Sequence, residues 1–111
     1  MLILSDENFK KEIQSAGKPV LVDFWSASCI PCLMLAQVLE KLSQEAAYQD
    51  KVVFAKINID QSPLMAQEYQ VDRIPMVLLF KENKAAAGFI GAQSENVIRE
   101  FLSKNLNGKN N

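Results

Sequence analysis

Short apolar runs and stretches with helical spacing alternate along the chain. Residues 20–25 form a β-branched and aromatic run that is apolar on both faces except at Asp23, which is typical of a central strand covered on both sides. Glu82 and Asn83 predict a tight turn into the last strand, because Asn tolerates the positive φ that such turns require. Further strands are predicted over residues 2–4, 52–59, 76–80 and 85–90.

Apolar residues spaced three, four and seven apart predict helices between the strands. The longest predicted helix covers residues 31–48, and two shorter helices are expected to begin with Ser5 and Ser62 as their caps. Ser94 is placed to cap the last helix, and Gly108 lies just past its end, as C-terminal capping prefers.

The elements follow in the order β-α-β-α-β-α-β-β-α. Strands separated by helices favour parallel pairing, whereas the tight turn near the end favours an antiparallel hairpin. The predicted fold class is α/β, with a mixed central sheet flanked by helices on both faces. A length of 111 residues fits one domain, which is expected to span residues 1–111.

Composition narrows the range of partners and locations. Hydrophobic residues make up 49% of the chain, which excludes a disordered protein, and the 12 basic and 13 acidic residues are mixed along it. No basic stripe is present for nucleic acid or for a membrane surface. The longest apolar runs have five residues, against roughly 20 for a membrane span, and residues 1–7 lack a basic signal-peptide region. A cytoplasmic monomer is therefore expected, in a compartment that keeps thiols reduced.

The chain has two cysteines, Cys29 and Cys32, and no histidine. Two cysteines cannot fill a four-coordinate zinc site within one chain, and the lack of histidine excludes both Ser-His-Asp and Cys-His catalysis. We expect no metal and no cofactor beyond a redox-active disulfide between the two cysteines. A metal cluster that bridges a dimer stays open as an alternative.

The segment Cys29-Ile30-Pro31-Cys32 lies between the buried strand and the long helix. The first turn of a helix has unsatisfied N–H groups and a partial positive charge, and both favour a thiolate. Residues three apart share one helix face, so the two sulfurs can meet, while Pro31 presets the helical φ and keeps the turn rigid. Cys29 is therefore predicted to be the exposed nucleophile, and Cys32, one turn further on, the resolving thiol.

The alternative to redox chemistry is a structural disulfide or a pair of unreactive thiols. A crosslink that closes about four residues stabilises by only ~2 kcal/mol in a loop-entropy treatment, against ~3 kcal/mol for a loop of about 15 residues. A short loop in a reducing compartment is thus a poor stabilising device and a good switch. The pattern favours thiol–disulfide exchange through a mixed disulfide between Cys29 and the substrate.

Asp23 is the one charged residue inside the apolar strand. Burial disfavours an ionised carboxylate and is expected to raise the pKa of Asp23, which makes it a candidate proton acceptor near neutral pH. The alternative is a carboxylate that accepts local backbone N–H bonds or reaches solvent at the end of the strand.

The run VDFWSASCIPC at residues 22–32 resembles the active-site signature of the thioredoxin family. The resemblance continues in collinear order through AKINID at residues 55–60, IP at residues 74–75 before VLLF, and GA at residues 91–92. It implies the thioredoxin fold, exchange with disulfides of client proteins, and a separate reductase that supplies electrons.

The resemblance also implies roles for residues around the cysteines. Asp23 is expected to deprotonate Cys32, with Lys56 close by. Trp25, which would otherwise be interpreted as a core residue, is expected to lie beside the disulfide.

The Ile74–Pro75 bond is expected to be cis and to face the cysteines, with the backbone of Ile74 pairing with an extended substrate segment. The plain alternative is a proline at the first residue of a strand. The substrate-binding residues implied by the resemblance are Trp25, Ile30, Pro31, Ile74, Pro75 and Gly91.

The sequence departs from the usual thioredoxin pattern near the cysteines. Typical members of the family have Trp, Gly, Lys, a helix-kinking Pro and Thr at the positions occupied here by Ser28, Ile30, Leu33, Gln37 and Met76, respectively. The hypothesis is that this surface serves a dedicated partner or reductase, and the alternative is drift on a tolerant surface. A second function class also stays open: a redox-inactive thioredoxin-like binding or chaperone module whose cysteines are incidental.

Overall fold

The computed structural model describes residues 1–106, in which strands and helices follow the predicted order with one additional short helix. The strands are β1 (Leu2–Leu4), β2 (Val20–Trp25), β3 (Val53–Asn58), β4 (Met76–Lys81) and β5 (Lys84–Ile90). The helices are α1 (Phe9–Ser15), α2 (Ile30–Ser43), α3 (Ala46–Gln49), α4 (Pro63–Glu68) and α5 (Glu95–Leu106). Gly108, predicted to end the last helix, lies outside the described residues.

The strands form one sheet in the order β1-β3-β2-β4-β5. β2 lies at its centre and pairs in parallel with β3 and antiparallel with β4, and β5 completes an antiparallel hairpin. β2 can occupy the central position because its side chains are apolar on both faces. In this register Asp23 lies opposite Lys56 of β3 and Val77 of β4. The predicted mixed α/β fold is confirmed.

Alternate residues of β2 belong to two separate cores, because successive strand side chains point to opposite faces. Val20, Val22 and Phe24 pack in the core that includes Phe9 of α1 and part of α4. Leu21 packs on the other face, against α2 and α5. The buried face of α2 consists of Cys32, Leu35, Leu39 and Leu42.

The predicted continuous helix over residues 31–48 is interrupted: α2 ends at Ser43, the chain leaves the helical conformation at Glu45 (φ −82°, ψ 135°), and α3 begins at Ala46. The Ser43 hydroxyl donates to the carbonyl of Glu40, a local bond that competes with helix continuation. The extended backbone allows the Glu45 carboxylate to meet Arg99 of α5, whose guanidinium donates to both oxygens at 2.9 and 2.6 Å. At the break between α2 and α3, the chain therefore makes a bidentate ion pair in place of the hydrogen bonds of a continuous helix.

The cap of α4 also differs from the prediction. Ser62 makes no side-chain cap and instead accepts the N–H of Asp6 at 3.3 Å. The Asp6 carboxylate accepts the N–H groups of Leu64 and Met65 at 3.1 and 2.9 Å, so the cap comes from the segment after β1. At α5 the prediction is confirmed, because the Ser94 hydroxyl accepts a backbone N–H of the first turn at 3.3 Å.

The cap of α1 differs from the prediction, because the helix begins at Phe9 with Asn8 as its N-cap, which makes no side-chain cap bond. Ser5 lies in the turn before it, where its N–H donates to Asn8 Oδ1 at 2.8 Å and its Oγ accepts the N–H of Asn8 at 3.4 Å. The predicted tight turn between β4 and β5 is confirmed. Glu82 and Asn83 have φ values of 51° and 71°, as the tight turn between β4 and β5 requires.

Candidate active site

Cys29 and Cys32 lie at the start of α2 and form a disulfide, with their Cα atoms 5.2 Å apart. Cys29 is the N-cap residue, and its Sγ accepts the N–H of Cys32 at 3.2 Å. Pro31 stands in the first turn, where its missing N–H removes no intrahelical bond. Cys32 is fully buried, whereas Cys29 is partly exposed. The predicted placement of the pair at a helix N-terminus is confirmed.

The loop between β2 and α2 is held by Ser26, a residue only 4% exposed. Its hydroxyl donates to the Asp60 carboxylate at 2.6 Å and accepts the N–H of Ser28 at 3.4 Å. The Ser26 carbonyl accepts the N–H of Cys29 at 3.1 Å. Cys29 is therefore tethered, through Ser26, to the loop that follows β3.

The sequence pattern alone does not single out Ser26 or Asp60. Ser26 follows β2 directly and Asp60 lies two residues past the end of β3, and the carboxyl ends of adjacent parallel strands meet at one edge of the sheet. Polar residues just past the ends of two parallel strands are the signal that could have identified this contact.

Asp23 is 2% exposed, and its Oδ1 has no hydrogen-bond partner within residues 1–106. By alternation with Leu21, it faces the layer formed by α2 and α5. Burial raises the pKa of Asp23 to about 7, although the positive charge of Lys56 acts in the opposite direction. The expected burial and the expected rise in pKa are confirmed, and the carboxylate does not reach solvent.

Lys56 lies close to both Asp23 and Trp25. It lies directly opposite Asp23 in the parallel β2–β3 pair, and its Nζ is 5.3 Å from the centre of the Trp25 ring, a cation–π distance. Trp25 ends β2 and is partly exposed, so its ring is not a fully buried core residue. The three side chains thus lie together near the carboxyl end of β2.

The Ile74–Pro75 peptide bond is cis, as the resemblance implies. The Pro75 carbonyl accepts the N–H of Gly91 at 2.8 Å, which joins the start of β4 to the end of β5. Gly91 has a φ of +93°, a conformation that would strain any residue with a β-carbon. Because the start of β4 pairs with the end of β2, this corner lies at the same edge of the sheet as the Cys29 loop.

The opposite edge of the sheet holds a cavity of about 590 Å³, lined in part by residues 17–20 and 80–83. It is separated from the cysteines by the length of β2. Within residues 1–106, no cluster of three or more His, Cys, Asp or Glu side chains is arranged to hold a metal ion. Over the same part of the chain, no helix combines the length and apolar character needed to cross a membrane.

Comparison with known proteins decides the family. The sequence model described as Thioredoxin matches residues 1–104. The chain belongs to the thioredoxin family. Among proteins named thioredoxin, it is 41% identical to that of Acidithiobacillus ferridurans over 106 residues, which is 96% of each chain. It is 39% identical to the thioredoxin of Buchnera aphidicola over 104 residues, 94% of each chain, and 37% identical to that of Chlorobaculum thiosulfatiphilum over 102 residues, 92% and 93% of the two chains.

Membership of the thioredoxin family, together with the Cys29–Cys32 disulfide, establishes the activity of this protein. It is a thiol–disulfide oxidoreductase that acts on protein disulfides. The predicted family, fold class and enzymatic activity are confirmed.

Proposed function

We propose that this thioredoxin-family protein reduces disulfides of client proteins in the cytoplasm, with Cys29 as the nucleophile and Cys32 as the resolving thiol. These roles are assigned from the unequal exposure of the two cysteines, because Cys29 is partly exposed at the helix N-cap while Cys32 is fully buried. A client disulfide can reach only the first of the two sulfurs. The N–H of Cys32, which points at the Cys29 sulfur, is also placed to stabilise a thiolate there.

The exchange takes two steps. The Cys29 thiolate attacks one sulfur of the client disulfide, so a bond forms between Cys29 and the client and the other client sulfur leaves as a thiolate. The Cys32 thiolate then attacks the Cys29 sulfur, which forms the Cys29–Cys32 disulfide and releases the second client sulfur. Two electrons pass to the client, whose two thiolates take up protons, and the protein is left oxidised.

Asp23 is proposed to accept the proton from Cys32. A pKa of about 7 leaves its carboxyl group half ionised near neutral pH, where one group can both accept and return a proton. Lys56 supplies the positive charge that keeps this pKa from rising further. Because Asp23 Oδ1 has no hydrogen-bond partner among residues 1–106, it can receive a proton without the loss of an existing bond.

Client binding is proposed along the edge of the sheet that carries the cysteines. The backbone of Ile74 would pair with an extended client segment, a form of strand addition. The hydrogen bond from the N–H of Gly91 to the Pro75 carbonyl holds the start of β4 against the end of β5. The other proposed contacts are Trp25, Ile30 and Pro31.

A separate reductase is proposed to return the cysteines to the dithiol state, since each exchange leaves the protein oxidised. The electrons are held by the cysteine pair itself, without a resident metal or cofactor, and the protein is proposed to work as a monomer. A crosslink that closes so short a loop adds only about 2 kcal/mol of stability. That small gain favours a pair that cycles in a reducing compartment over a structural disulfide.

The reductase is proposed to be a dedicated one, because Ser28, Ile30, Leu33 and Met76 change the surface next to Cys29 from the usual thioredoxin pattern. A general NADPH-dependent bacterial thioredoxin reductase should therefore turn over wild type poorly. The variant Ser28→Trp/Ile30→Gly/Leu33→Lys/Met76→Thr should be reduced about tenfold faster in the same assay. Equal turnover of the two proteins would indicate drift rather than specialisation.

Reduction of insulin by dithiothreitol tests the cysteine roles. Wild type should accelerate the reaction, and both Cys29→Ser and Cys32→Ser should abolish the acceleration. Only Cys32→Ser should accumulate a disulfide-linked client, because it retains the attacking sulfur and lacks the resolving one. A wild-type protein that binds clients without accelerating reduction would instead indicate a redox-inactive binding or chaperone module.

A further inference from the structure

The first two turns of α2 are apolar on the outside as well as on the inside. Ile30, Leu33 and Met34 point outward and are 68%, 44% and 62% exposed. A surface helix ordinarily presents polar side chains to solvent, and a helix that is apolar all round is typical of one covered by another surface. We call these three residues the outer α2 patch.

The outer α2 patch adjoins the reactive cysteine. Ile30 directly follows Cys29, and the N–H of Leu33 donates to the Cys29 carbonyl at 3.2 Å, which places Leu33 one turn further along the helix. Met34 lies one turn beyond Ile30 on the same side. Any partner that bonds to the Cys29 sulfur has to approach this turn, so the patch is continuous with the exchange site.

Charge contributes little to this surface. Residues 24–39 include no Asp, Glu, Lys or Arg, and the first charged residue of α2 is Glu40. In the loops at the same edge of the sheet, Asp60 is already hydrogen-bonded, and Asp72 is followed by the oppositely charged Arg73. The Lys56 ammonium near this edge lies over the Trp25 ring, outside the outer α2 patch. A partner at Cys29 therefore contacts apolar side chains rather than a surface dominated by positive or by negative charge.

We propose that the outer α2 patch selects client disulfides whose cysteine is flanked by an uncharged, apolar segment. That segment packs against Ile30, Leu33 and Met34 while the bond to Cys29 forms. This selection rests on the exchange function proposed above. A charged client segment is disfavoured because its charge loses hydration against the patch and finds no counter-charge there. Because the contact is apolar, the preference is insensitive to ionic strength.

The test measures how fast Cys29 attacks three peptides in the Cys32→Ser protein. The peptides differ only in whether leucine, aspartate or lysine flanks a single cysteine, which carries thionitrobenzoate as a disulfide. Attack on the peptide sulfur joins it to Cys29 and releases the coloured thionitrobenzoate thiolate. The leucine peptide should react about tenfold faster than the other two, at low and at high salt, because one large apolar side chain is covered in the complex.

The variant Leu33→Gln/Met34→Gln should lose most of this preference. Glutamine keeps the net charge and has a helix propensity close to that of Leu and Met, so the surroundings of Cys29 stay the same apart from the apolar surface. Val97→Gln on α5 is the matched control, because Val97 is 45% exposed, as Leu33 is 44%. The control should retain the full preference.

Equal rates for the three peptides would overturn the proposal, and so would a preference that survives in the double variant or disappears at high salt. Reaction with dithiobis(nitrobenzoate), a disulfide too small to cover the patch, separates selection from exchange. In the Cys32→Ser background, the wild-type sequence and the Val97→Gln control should react with it at the same rate. A Cys29 that is inert to this reagent would overturn the exchange function itself, whereas normal reactivity without peptide preference would overturn the selection alone.

Discussion

Asp23 and Ser26 are both almost completely buried near the end of β2, but their surroundings are opposite. The Ser26 hydroxyl donates to the Asp60 carboxylate and accepts the N–H of Ser28. The Oδ1 atom of Asp23 has no partner among residues 1–106. The two residues are only three apart in the sequence, yet the Ser26 hydroxyl has hydrogen-bond partners and Asp23 Oδ1 has none among the described residues.

This difference separates a residue that holds a loop from the residue proposed to accept a proton. A buried hydroxyl with its hydrogen bonds made is held in one arrangement, and it keeps the loop before Cys29 in place. A buried carboxylate without them is driven toward its neutral form, and its pKa moves to where a proton can be exchanged near neutral pH. Burial is the main cause of the raised pKa of Asp23, and the lack of a hydrogen-bond partner at Oδ1 leaves the ionised form without that stabilisation.

The largest expected effect is on the pH dependence of stability. The pKa of Asp23 rises from 3.8 to about 7 on folding, so the native state binds more protons than the unfolded state between these values. Stability therefore falls as pH rises through that range. Asp23→Asn cannot ionise, so it should match wild type near pH 4 and exceed it above pH 7 by on the order of 4 kcal/mol.

Denaturant unfolding of the oxidised protein at a series of pH values measures this difference. Asp72→Asn, a substitution at an exposed position, is the matched control and should show the same pH dependence as wild type. If Asp23→Asn were offset from wild type by the same amount at every pH, the near-neutral pKa of Asp23 would be wrong.

The next effect is kinetic. Asp23→Asn removes the proposed proton acceptor for Cys32, so release of glutathione from a mixed disulfide at Cys29 should slow by roughly a hundredfold near pH 7. The wild-type rate should also rise with pH around 7, as the Asp23 carboxyl group ionises, and the variant should lack that step. An unchanged rate and pH profile would limit Asp23 to its effect on stability.

Ser26→Ala should change stability in the opposite direction. It removes a hydroxyl that donates to a charged carboxylate at 2.6 Å, and such bonds contribute about 2 kcal/mol. The loss should not vary between pH 6 and 8, because no titrating group is removed. A variant as stable as wild type would mean that Ser26 does not anchor the loop.

Ser28→Ala should have the smallest effect. Ser28 is exposed, and its hydroxyl lies 3.3 Å from that of Ser26, so water can replace the contact. The free energy of unfolding should change by no more than about 0.5 kcal/mol. A loss as large as that of Ser26→Ala would place the anchor at the surface serine instead.

Local patterns in the sequence predict much of the fold, whereas contacts between distant residues are missed. β2 follows from an apolar run, and α2 follows from helical spacing. Asp6 caps α4 from 58 residues away, Arg99 meets Glu45 at a separation of 54 residues, and Asp60 meets Ser26 at 34. These pairs depend on how the elements pack, which no local pattern encodes.

In the candidate site, too, local features are predictable from the sequence and features that depend on packing are not. The cysteine pair at the start of a helix and the burial of Asp23 are predictable, because both depend on the order of residues within one strand and the helix after it. That Asp23 Oδ1 lacks a partner depends on what β3, β4 and α2 bring to that face. The sequence indicates the outer α2 patch through the apolar departures at Ile30 and Leu33 and the absence of charge over residues 24–39, whereas the exposure of these side chains depends on the orientation of the helix.

Cys29 and Cys32 are proposed to have different roles because only Cys29 combines exposure with a helix N-terminus. Alkylation of the fully reduced protein near pH 7, sampled over time and followed by peptide mapping, tests this proposal most directly. Cys29 should be labelled at least about tenfold faster than Cys32. Equal rates of labelling, or faster labelling of Cys32, would contradict it.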